Sequence, residues 1–184
     1  MVLQYERLNI LRYIITLLIT LLIPLSSYSQ ENETDISERD KYITIAREII
    51  ETAHYCALIT LDQFGKPHVR MMEPVSHQDD MVVWLGTNSK SRKVQEIRNN
   101  PQVTLYYSDH EGGSYVAIAG TANLIDDPEK KDRLWREEWD TLFPGWKNNF
   151  YILIQVIPNR LEILSYMHGI VGDPETWEAP HIDF

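Results

Sequence analysis

The sequence predicts a mainly β protein, in which an antiparallel sheet closes or nearly closes into a barrel with a few flanking helices. Seven short runs rich in Val, Ile, Leu, Thr and Tyr follow one another along the chain, each bounded by turn residues. Segments of hairpin length, such as residues 62–66 and 76–80, join several of these runs, which makes the sheet largely antiparallel. Few helical patterns interrupt the strands, and closure of the sheet removes the exposed edges that an open sheet would keep.

The composition is that of an ordinary globular domain. The chain has 184 residues, is 43% hydrophobic, and carries 17 Lys and Arg against 27 Asp and Glu, a net charge of −10. A chain of this size buries a real core without disulfides or metals. Because a negative field repels the phosphate backbone, we expect no nucleic-acid partner. The single cysteine, Cys56, excludes a disulfide framework, and its apolar surroundings predict an inert core thiol.

The first 29 residues have the order of a secretory signal peptide. Arg7 and Arg12 precede an apolar run at residues 13–25, and small residues follow up to Ser29. The run is shorter than the roughly 20 residues that a membrane-spanning helix needs. We therefore expect cleavage after Ser29 and export to the periplasm or the extracellular space, with no stable membrane span after cleavage. An uncleaved anchor remains the alternative.

The rest of the chain divides by pattern. After the signal peptide at residues 1–29, the predicted parts are a linker at 30–41, the barrel domain at 42–166 and a C-terminal tail at 167–184.

Within that frame, the elements follow in order. Apolar residues at helical spacing predict a first helix from Glu38 to Thr52. The predicted strands are 55–61, 67–75, 81–86, 102–108, 115–125, 150–157 and 160–166.

Two further helices interrupt the strands. One is predicted from Ser89 to Asn99 and ends because a proline follows at residue 101. The other opens with Asp127 as its N-cap and proline at its first position, and runs to Thr141. Aromatic residues recur in and after this helix at steps of three and four, which predicts a packing stripe; they are Trp135, Trp139, Phe143 and Trp146. Trp177, in the tail, is also expected to pack.

The segment Gly86–Lys93 is the strongest candidate for a binding site. It lies where a strand ends and a helix begins, so free backbone N–H groups and the positive end of the helix dipole meet there. Its hydroxyl donors are Thr87, Ser89 and Ser91, and its cations are Lys90, Arg92 and Lys93. A phosphate group needs several directed donors of this kind. The alternative, open at this point, is a solvated helix start with an i,i+4 pair between Arg92 and Glu96.

Arg70 is a second candidate for the same ligand. It shares one face of its strand with His68 and Met72, and a charged side chain among barrel strands requires a partner. A bound phosphate would serve, while an exposed arginine on the outer face is the alternative. The six histidines show no close ligand spacing, so no metal site is expected.

Four segments in series resemble one known family. They are residues 65–72 (GKPHVRMM), 84–93 (WLGTNSKSRK), 100–107 (NPQVTLYY) and 115–122 (YVAIAGTA). In this order they are similar to the pyridoxamine 5'-phosphate oxidase-like proteins, and within them to the general-stress-protein branch. The resemblance covers roughly residues 40–165 and implies the fold of that family, a split β-barrel that binds FMN.

The resemblance also implies an assembly and a set of cofactor contacts. The expected assembly is a homodimer with two FMN sites at the subunit interface. By similarity, the FMN phosphate would be held by Arg70, Ser91, Arg92 and Lys93. The backbone of Met71 and Met72 would run beside the isoalloxazine ring, and Gly86 and Thr87 would line the ring and the ribityl chain.

The chain departs from the oxidase pattern in three places. Val75 stands where the oxidase has a lysine, the glutamine expected near Tyr115 is missing, and residues 167–184 lack the substrate-binding Trp and Arg-x-His residues. True pyridoxamine 5'-phosphate oxidase activity is therefore not expected.

Two functional hypotheses remain. The first is an exported FMN-dependent oxidoreductase that acts on an unknown small molecule in a stress response, with no catalytic side chain assigned. The second is a non-enzymatic module of the cell envelope that binds FMN, haem or another anionic ligand.

Overall fold

The structure, a computed structural model, describes residues 38–77, 80–109 and 113–184. The predicted signal peptide and most of the predicted linker lie outside these residues. The chain divides into two compact units, residues 1–43 and 44–184, and the features below belong to the second. No helix in the described part of the chain has the length and apolar character needed to cross a membrane.

The described residues form eight strands and several short helices. The first helix, α1, spans residues 38–53 and therefore begins in the first unit. The strands are β1 (Cys56–Leu61), β2 (Pro67–Met72), β3 (Pro74–His77), β4 (Val83–Asn88), β5 (Gln102–Asp109), β6 (Ser114–Ile125), β7 (Tyr151–Leu164) and β8 (His181–Asp183). The further helices are α2 (Arg92–Asn99), α3 (Pro128–Arg133), α4 (Trp139–Leu142) and α5 (Trp146–Asn149), with a 3₁₀ turn at Tyr166–His168.

The strands make one antiparallel sheet in the order β2-β1-β5-β6-β7-β4-β3, and β8 pairs with β7. Its two edge strands, β2 and β3, are consecutive in the chain and are separated only by Glu73. The two edges of the sheet therefore meet at this point, and the sheet curls into a split barrel. The predicted fold class, mainly β with a split β-barrel and a few flanking helices, is confirmed.

The core lies on the inner face of the curled sheet. Alternate residues of β1, namely Cys56, Leu58 and Thr60, are fully buried, while the residues between them are half-buried. Helix α2 packs on β1 and β6 and buries Val94 and Ile97 there.

Cys56 behaves as an inert core thiol. Its side chain is buried beside Tyr107, and burial raises the pKa of the thiol to about 12.

Four predicted elements differ from those observed. The predicted strand 67–75 is two strands, β2 and β3, because the chain crosses the split at Glu73. The predicted strands 150–157 and 160–166 are one strand, β7. The pairing of β7 with β6 shifts register around Asn159, where a bulge accommodates Pro158, which has no N–H to donate. The predicted helix 127–141 is broken into α3 and α4, although Asp127 caps α3 as expected by accepting from the Lys130 N–H.

The C-terminal residues contribute to the fold. β8 pairs with β7 in the register Leu161↔Ile182, and Ile182 and Ala179 are buried. Arg160 on β7 forms ion pairs with Glu162, Glu178 and Asp183. The prediction that Trp177 packs is wrong, because the residue is 84% exposed. It lies at the end of a turn in which the Asp173 carboxylate accepts from the backbone N–H groups of Glu175 and Thr176.

Candidate functional site

The turn between β4 and α2 brings donors to the start of the helix. The Asn88 side chain accepts from the Lys90 N–H at 2.8 Å, and the Asn88 carbonyl accepts from the Ser91 N–H at 3.0 Å. This Asx turn redirects the chain within three residues and leaves Ser91 as the N-cap of α2. The first N–H groups of α2 and the positive end of its dipole therefore face this turn.

Ser91 leaves a hydrogen-bonding group unused at that place. Its Oγ is buried and has no hydrogen-bond partner among the residues that the structure describes, and it does not cap the helix in the way that a serine at this position usually does. Because buried polar atoms nearly always have partners, an unpaired hydroxyl at a helix N-terminus indicates a position for a ligand acceptor.

Lys93 extends the donor set inward. Its Nζ donates to the Thr87 Oγ1 at 3.0 Å, and Thr87 itself is buried at the end of β4. Burial lowers the pKa of Lys93, and the neighbouring cations Arg70 and Arg92 lower it further. The Glu96 carboxylate raises the pKa, but the net effect is a lowered value. A negatively charged ligand at this position would relieve the repulsion among the three cations.

Arg70 lies on the inner face of β2, with its side chain 17% exposed. Its Nη1 donates to the Thr60 Oγ1 at 2.6 Å and to the carbonyls of Leu58 and His68 at 3.1 Å. Its Nη2 donates to the Glu96 Oε2 at 2.8 Å. The alternative of an exposed arginine on the outer face is therefore wrong, since the guanidinium points inward toward α2.

The partner of Arg70 in this structure is Glu96, a residue that the sequence analysis did not place at the site. The Glu96 carboxylate is 4% exposed and also accepts from the Thr60 Oγ1 and meets the His68 Nδ1, both at 2.5 Å. The expected i,i+4 pair with Arg92 is present, with Nε to Oε1 at 3.2 Å. This i,i+4 spacing was the only sequence feature that pointed to Glu96. Spacing alone does not show that Glu96 is buried while Arg92 is exposed.

The remaining candidate residues divide between faces. Met71 is 70% exposed on the outer face of β2, whereas Met72 is half-buried on the inner face. On β4, Thr87 faces inward, while a Cβ on Gly86 would meet the rings of Tyr151 and Trp139 on the other face. The structure thus brings Arg70, Arg92, Lys93 and Thr87 together beside Ser91, whereas the side chain of Met71 and the Cα of Gly86 face away from them.

Three members of the predicted aromatic stripe, Trp135, Trp139 and Trp146, form a packed cluster with Tyr151 on the outside of β4 and β7, whereas Phe143 contacts Trp146 but is 48% exposed. The rings of Trp135, Trp139, Trp146 and Tyr151 lie 5.0 to 6.0 Å from one another. They pack with Trp84 and Leu153, which supports the prediction that these residues stabilise the fold.

A cavity of about 460 Å³ opens beside the link between β2 and β3. Its lining comes from the end of α1, that link and the segment after α3: Ile50, Glu51, His54, Tyr55, Glu73, Pro74, Val75 and Arg136. Arg136 forms an ion pair with Glu73 and donates to the Pro74 carbonyl, which fixes one wall of the cavity. Within the described residues, no group of His, Cys, Asp and Glu side chains is arranged to hold a metal ion.

Comparison with known proteins shows which family the chain belongs to. The profile described as "Pyridoxamine 5'-phosphate oxidase like" matches residues 41–163. The chain belongs to the pyridoxamine 5'-phosphate oxidase-like family. Among curated members, General stress protein 26 of Bacillus subtilis is 27% identical over 115 residues, which cover 61% of this chain and 81% of that protein. The pyridoxine/pyridoxamine 5'-phosphate oxidase of Edwardsiella ictaluri is 26% identical, and the match spans only 52% of its length.

Solved structures of family members share the fold. A protein from Clostridium acetobutylicum related to General stress protein 26 superposes with a TM-score of 0.63 at 19% identity, covering 78% of this chain and 94% of that one. A pyridoxamine 5'-phosphate oxidase-related, FMN-binding protein from Nostoc punctiforme superposes with a TM-score of 0.52 at 15% identity, covering 80% of this chain and 95% of that one. At these identities the likeness concerns the fold alone.

Proposed function

We propose that this protein binds FMN at the start of α2 and acts as an FMN-dependent oxidoreductase on a small molecule. The observation that carries the proposal is the phosphate cradle, defined here as Thr87, Ser91, Arg92 and Lys93 together with Arg70. Membership of the family and the FMN-binding relative of the same fold support it.

The cradle fits a phosphate monoester in charge and in donors. Arg70, Arg92 and Lys93 bring three positive charges and Glu96 one negative charge, which leaves two positive charges for a dianionic phosphate. The unpaired Ser91 Oγ and the first N–H groups of α2 supply further donors. We expect Ser91, Arg92 and Lys93 to hold the phosphate from the helix side and Arg70 to hold it from the strand side.

The flavin ring has a suitable neighbour in the edge strand β2. Within the described residues this strand pairs with β1 on one side only, so the backbone groups of its other side have no strand partner there. Alternate residues of an antiparallel strand direct their N–H and C=O to opposite sides, so one of Met71 and Met72 has its backbone free to hydrogen-bond a polar ring edge while the other pairs with β1. When bound, FMN supplies reversible electron transfer to and from a small molecule, while the protein fixes the orientation of the ring and limits its access to water.

The substrate would reach the ring beside the split of the barrel. The cavity there is lined by Val75 where the oxidase has a lysine, so one contact that the oxidase makes with a phosphate is absent. Pyridoxamine 5'-phosphate is therefore not the substrate that we propose.

The cradle is tested by removing its two most buried cations. For Arg70→Ala with Lys93→Ala, we expect the Kd for FMN to rise about 100-fold, because each lost charged hydrogen bond is worth roughly 1.5 kcal/mol or more. The control is Arg98→Ala with Arg133→Ala, which removes the same charge from exposed positions. Isothermal titration measures both, and equal affinities for the two double variants would refute the assignment.

A second copy of the chain fits the exposed outer face of β1, β2 and β5. Val69 and Met71 are 63% and 70% exposed, and Tyr106 is stacked on Tyr115 beside them. A cluster of exposed apolar side chains marks an interaction surface, and the family resemblance implies that its occupant is the partner of a homodimer.

We further propose that the protein is exported and acts in a stress response. The signal-peptide pattern at residues 1–29 supports export. The name of the Bacillus subtilis relative supports the stress role. Detection of the cleaved chain in a periplasmic or culture fraction, with Gln30 at its N-terminus, tests the export.

A further inference from the structure

One buried carboxylate joins the strand side and the helix side of the phosphate cradle. Glu96 Oε2 accepts from Arg70 on β2 at 2.8 Å, and Glu96 Oε1 forms an ion pair with the Nε of Arg92 on α2 at 3.2 Å. Thr60 on β1 and His68 on β2 occupy the remaining sides of the same carboxylate. Four groups from three elements therefore converge on one side chain that is 4% exposed.

This arrangement leaves Glu96 little capacity to contact a ligand. Its two oxygens already take part in three hydrogen bonds and an ion pair with Arg92, and the side chain is 4% exposed. A carboxylate that faced a phosphate would also repel it. Any effect of Glu96 on a bound phosphate must therefore act through the residues that it holds.

The cations of the cradle need such an anchor. Lys93 lies close enough to Arg70 and Arg92 for both cations to lower its pKa, so without a ligand Lys93 is repelled by its two neighbours. A carboxylate between the two arginines offsets this repulsion and fixes both guanidinium groups before any phosphate arrives. Holding donors in their bound positions reduces the ordering cost of binding.

We propose that Glu96 is the positioning residue of the phosphate cradle and that it sets the preference of the protein for phosphorylated over unphosphorylated flavin. This inference rests on the proposed function. Riboflavin has the ring and the ribityl chain but no phosphate, so it reports on binding that does not use the cradle. The ratio of the Kd for riboflavin to the Kd for FMN therefore measures what the cradle contributes.

The test is Glu96→Gln, which keeps the shape of the side chain and removes its charge. Quenching of flavin fluorescence gives both Kd values for the chain, for this variant and for the control Glu137→Gln, an exposed glutamate after α3. We expect Glu96→Gln to lower the ratio about tenfold through weaker FMN binding, with the Kd for riboflavin changed less than twofold. Glu137→Gln should leave the ratio unchanged.

A second comparison separates positioning from a general effect on the fold. In a chain that carries Arg70→Ala and Arg92→Ala, the added Glu96→Gln should change the ratio less than twofold, because the two residues through which Glu96 acts are gone. If Glu96→Gln does not fold, as judged by circular dichroism, Glu96→Asp replaces it and should give an intermediate ratio, since it keeps the charge on a shorter arm.

The outcomes distinguish this inference from the proposed function. A chain that binds neither flavin refutes the proposed function and this inference with it. A chain that prefers FMN, with the same preference in Glu96→Gln, refutes the inference alone. Equal weakening of FMN and riboflavin binding also refutes it, because that result means that Glu96 only maintains the fold.

Discussion

At the scale of single residues, the buried charge of Glu96 has a cost that the surrounding donors offset. Burial alone would raise the pKa of this carboxyl, but the hydrogen bonds from Thr60, His68 and Arg70 outweigh it, and the pKa lies below its ordinary value of 4.5. The folded state therefore favours the ionised carboxylate.

This shift predicts a dependence of stability on pH. A carboxyl whose pKa is lowered by folding stabilises the folded state above its unfolded pKa, and the stabilisation is lost as the pH falls through the folded pKa. At pH 7 we expect Glu96→Gln to lower the free energy of unfolding by about 3 kcal/mol, since it breaks a buried ion pair. The difference from the original chain should shrink steadily below about pH 4.5.

Urea unfolding followed by tryptophan fluorescence at several pH values measures that difference. Asp62 and Asp173 also have lowered pKa values but are exposed, so they contribute equally to both chains and cancel in the comparison. A difference that stays constant from pH 7 to pH 3 would contradict the role of Glu96 as an ionised, hydrogen-bonded group.

All five cradle residues are candidates from the sequence, but the sequence does not predict how they are connected. Ser91, Arg92 and Lys93 are adjacent in sequence, so their approach follows from local geometry. The contact between Arg70 and Glu96 joins residues that are 26 positions apart, and it depends on how α2 lies across β1 and β6. No local pattern encodes that crossing. The sequence alone therefore allows two environments for Arg70, contact with a bound phosphate or exposure to solvent, and does not predict its pairing with Glu96.

At the scale of elements, the short strand β8 covers part of the long strand β7. Ile182 is buried on β8, whereas His181 on the same strand faces solvent. The Pro180 carbonyl accepts from the Ile163 N–H at 3.0 Å and extends the pairing at one end. The final residues thus belong to the packed structure.

We predict that Ile182→Ala lowers the free energy of unfolding by about 2 kcal/mol, because it removes buried methyl groups beside Leu161. His181→Ala is the matched control on the opposite face, and its effect should stay within about 0.5 kcal/mol. Chemical denaturation measures both. Equal effects of the two variants would mean that β8 does not pack on the sheet in solution.

Element boundaries were predictable where a terminating residue acts locally. Asp127 and Pro128 begin α3 as expected, and the proline at residue 101 follows the end of α2. Prediction failed where tertiary pairing decides. The pattern at Pro158 and Asn159 predicts a break between two strands, but pairing with β6 carries β7 through them as a bulge. The crossing from β2 to β3 at Glu73 was missed because neighbouring strand patterns show no gap there.

At the scale of the whole molecule, the exposed apolar face of β1, β2 and β5 predicts a dimer. We expect light scattering at micromolar concentration to give twice the mass of one chain, and Val69→Glu to shift the protein to monomers, because a charge would be buried without a partner. Leu142→Glu, equally exposed on α4 but outside that face, should remain dimeric. A monomeric original chain, or a dimeric Val69→Glu variant, would contradict the assignment of this face.

The acidic charge of the whole molecule makes the cradle easier to interpret. A net charge of −10 gives no general attraction for an anion, so any affinity for a phosphate must come from the local arrangement at the start of α2. The family and the split-barrel fold were both predictable from the ordered series of motifs. Each motif is a short run of residues at a turn or a strand, so it can be recognised without knowing which strands pair.

The most direct test of the account is the visible absorption spectrum of the chain from Gln30 to Phe184, purified from cells and then titrated with FMN. We predict a yellow protein that releases FMN on denaturation, or a colourless one that binds FMN with an affinity at least tenfold above its affinity for riboflavin, because of the phosphate cradle. A colourless protein that binds no FMN at any concentration tested would contradict the account, and would favour a binding module for another anionic ligand.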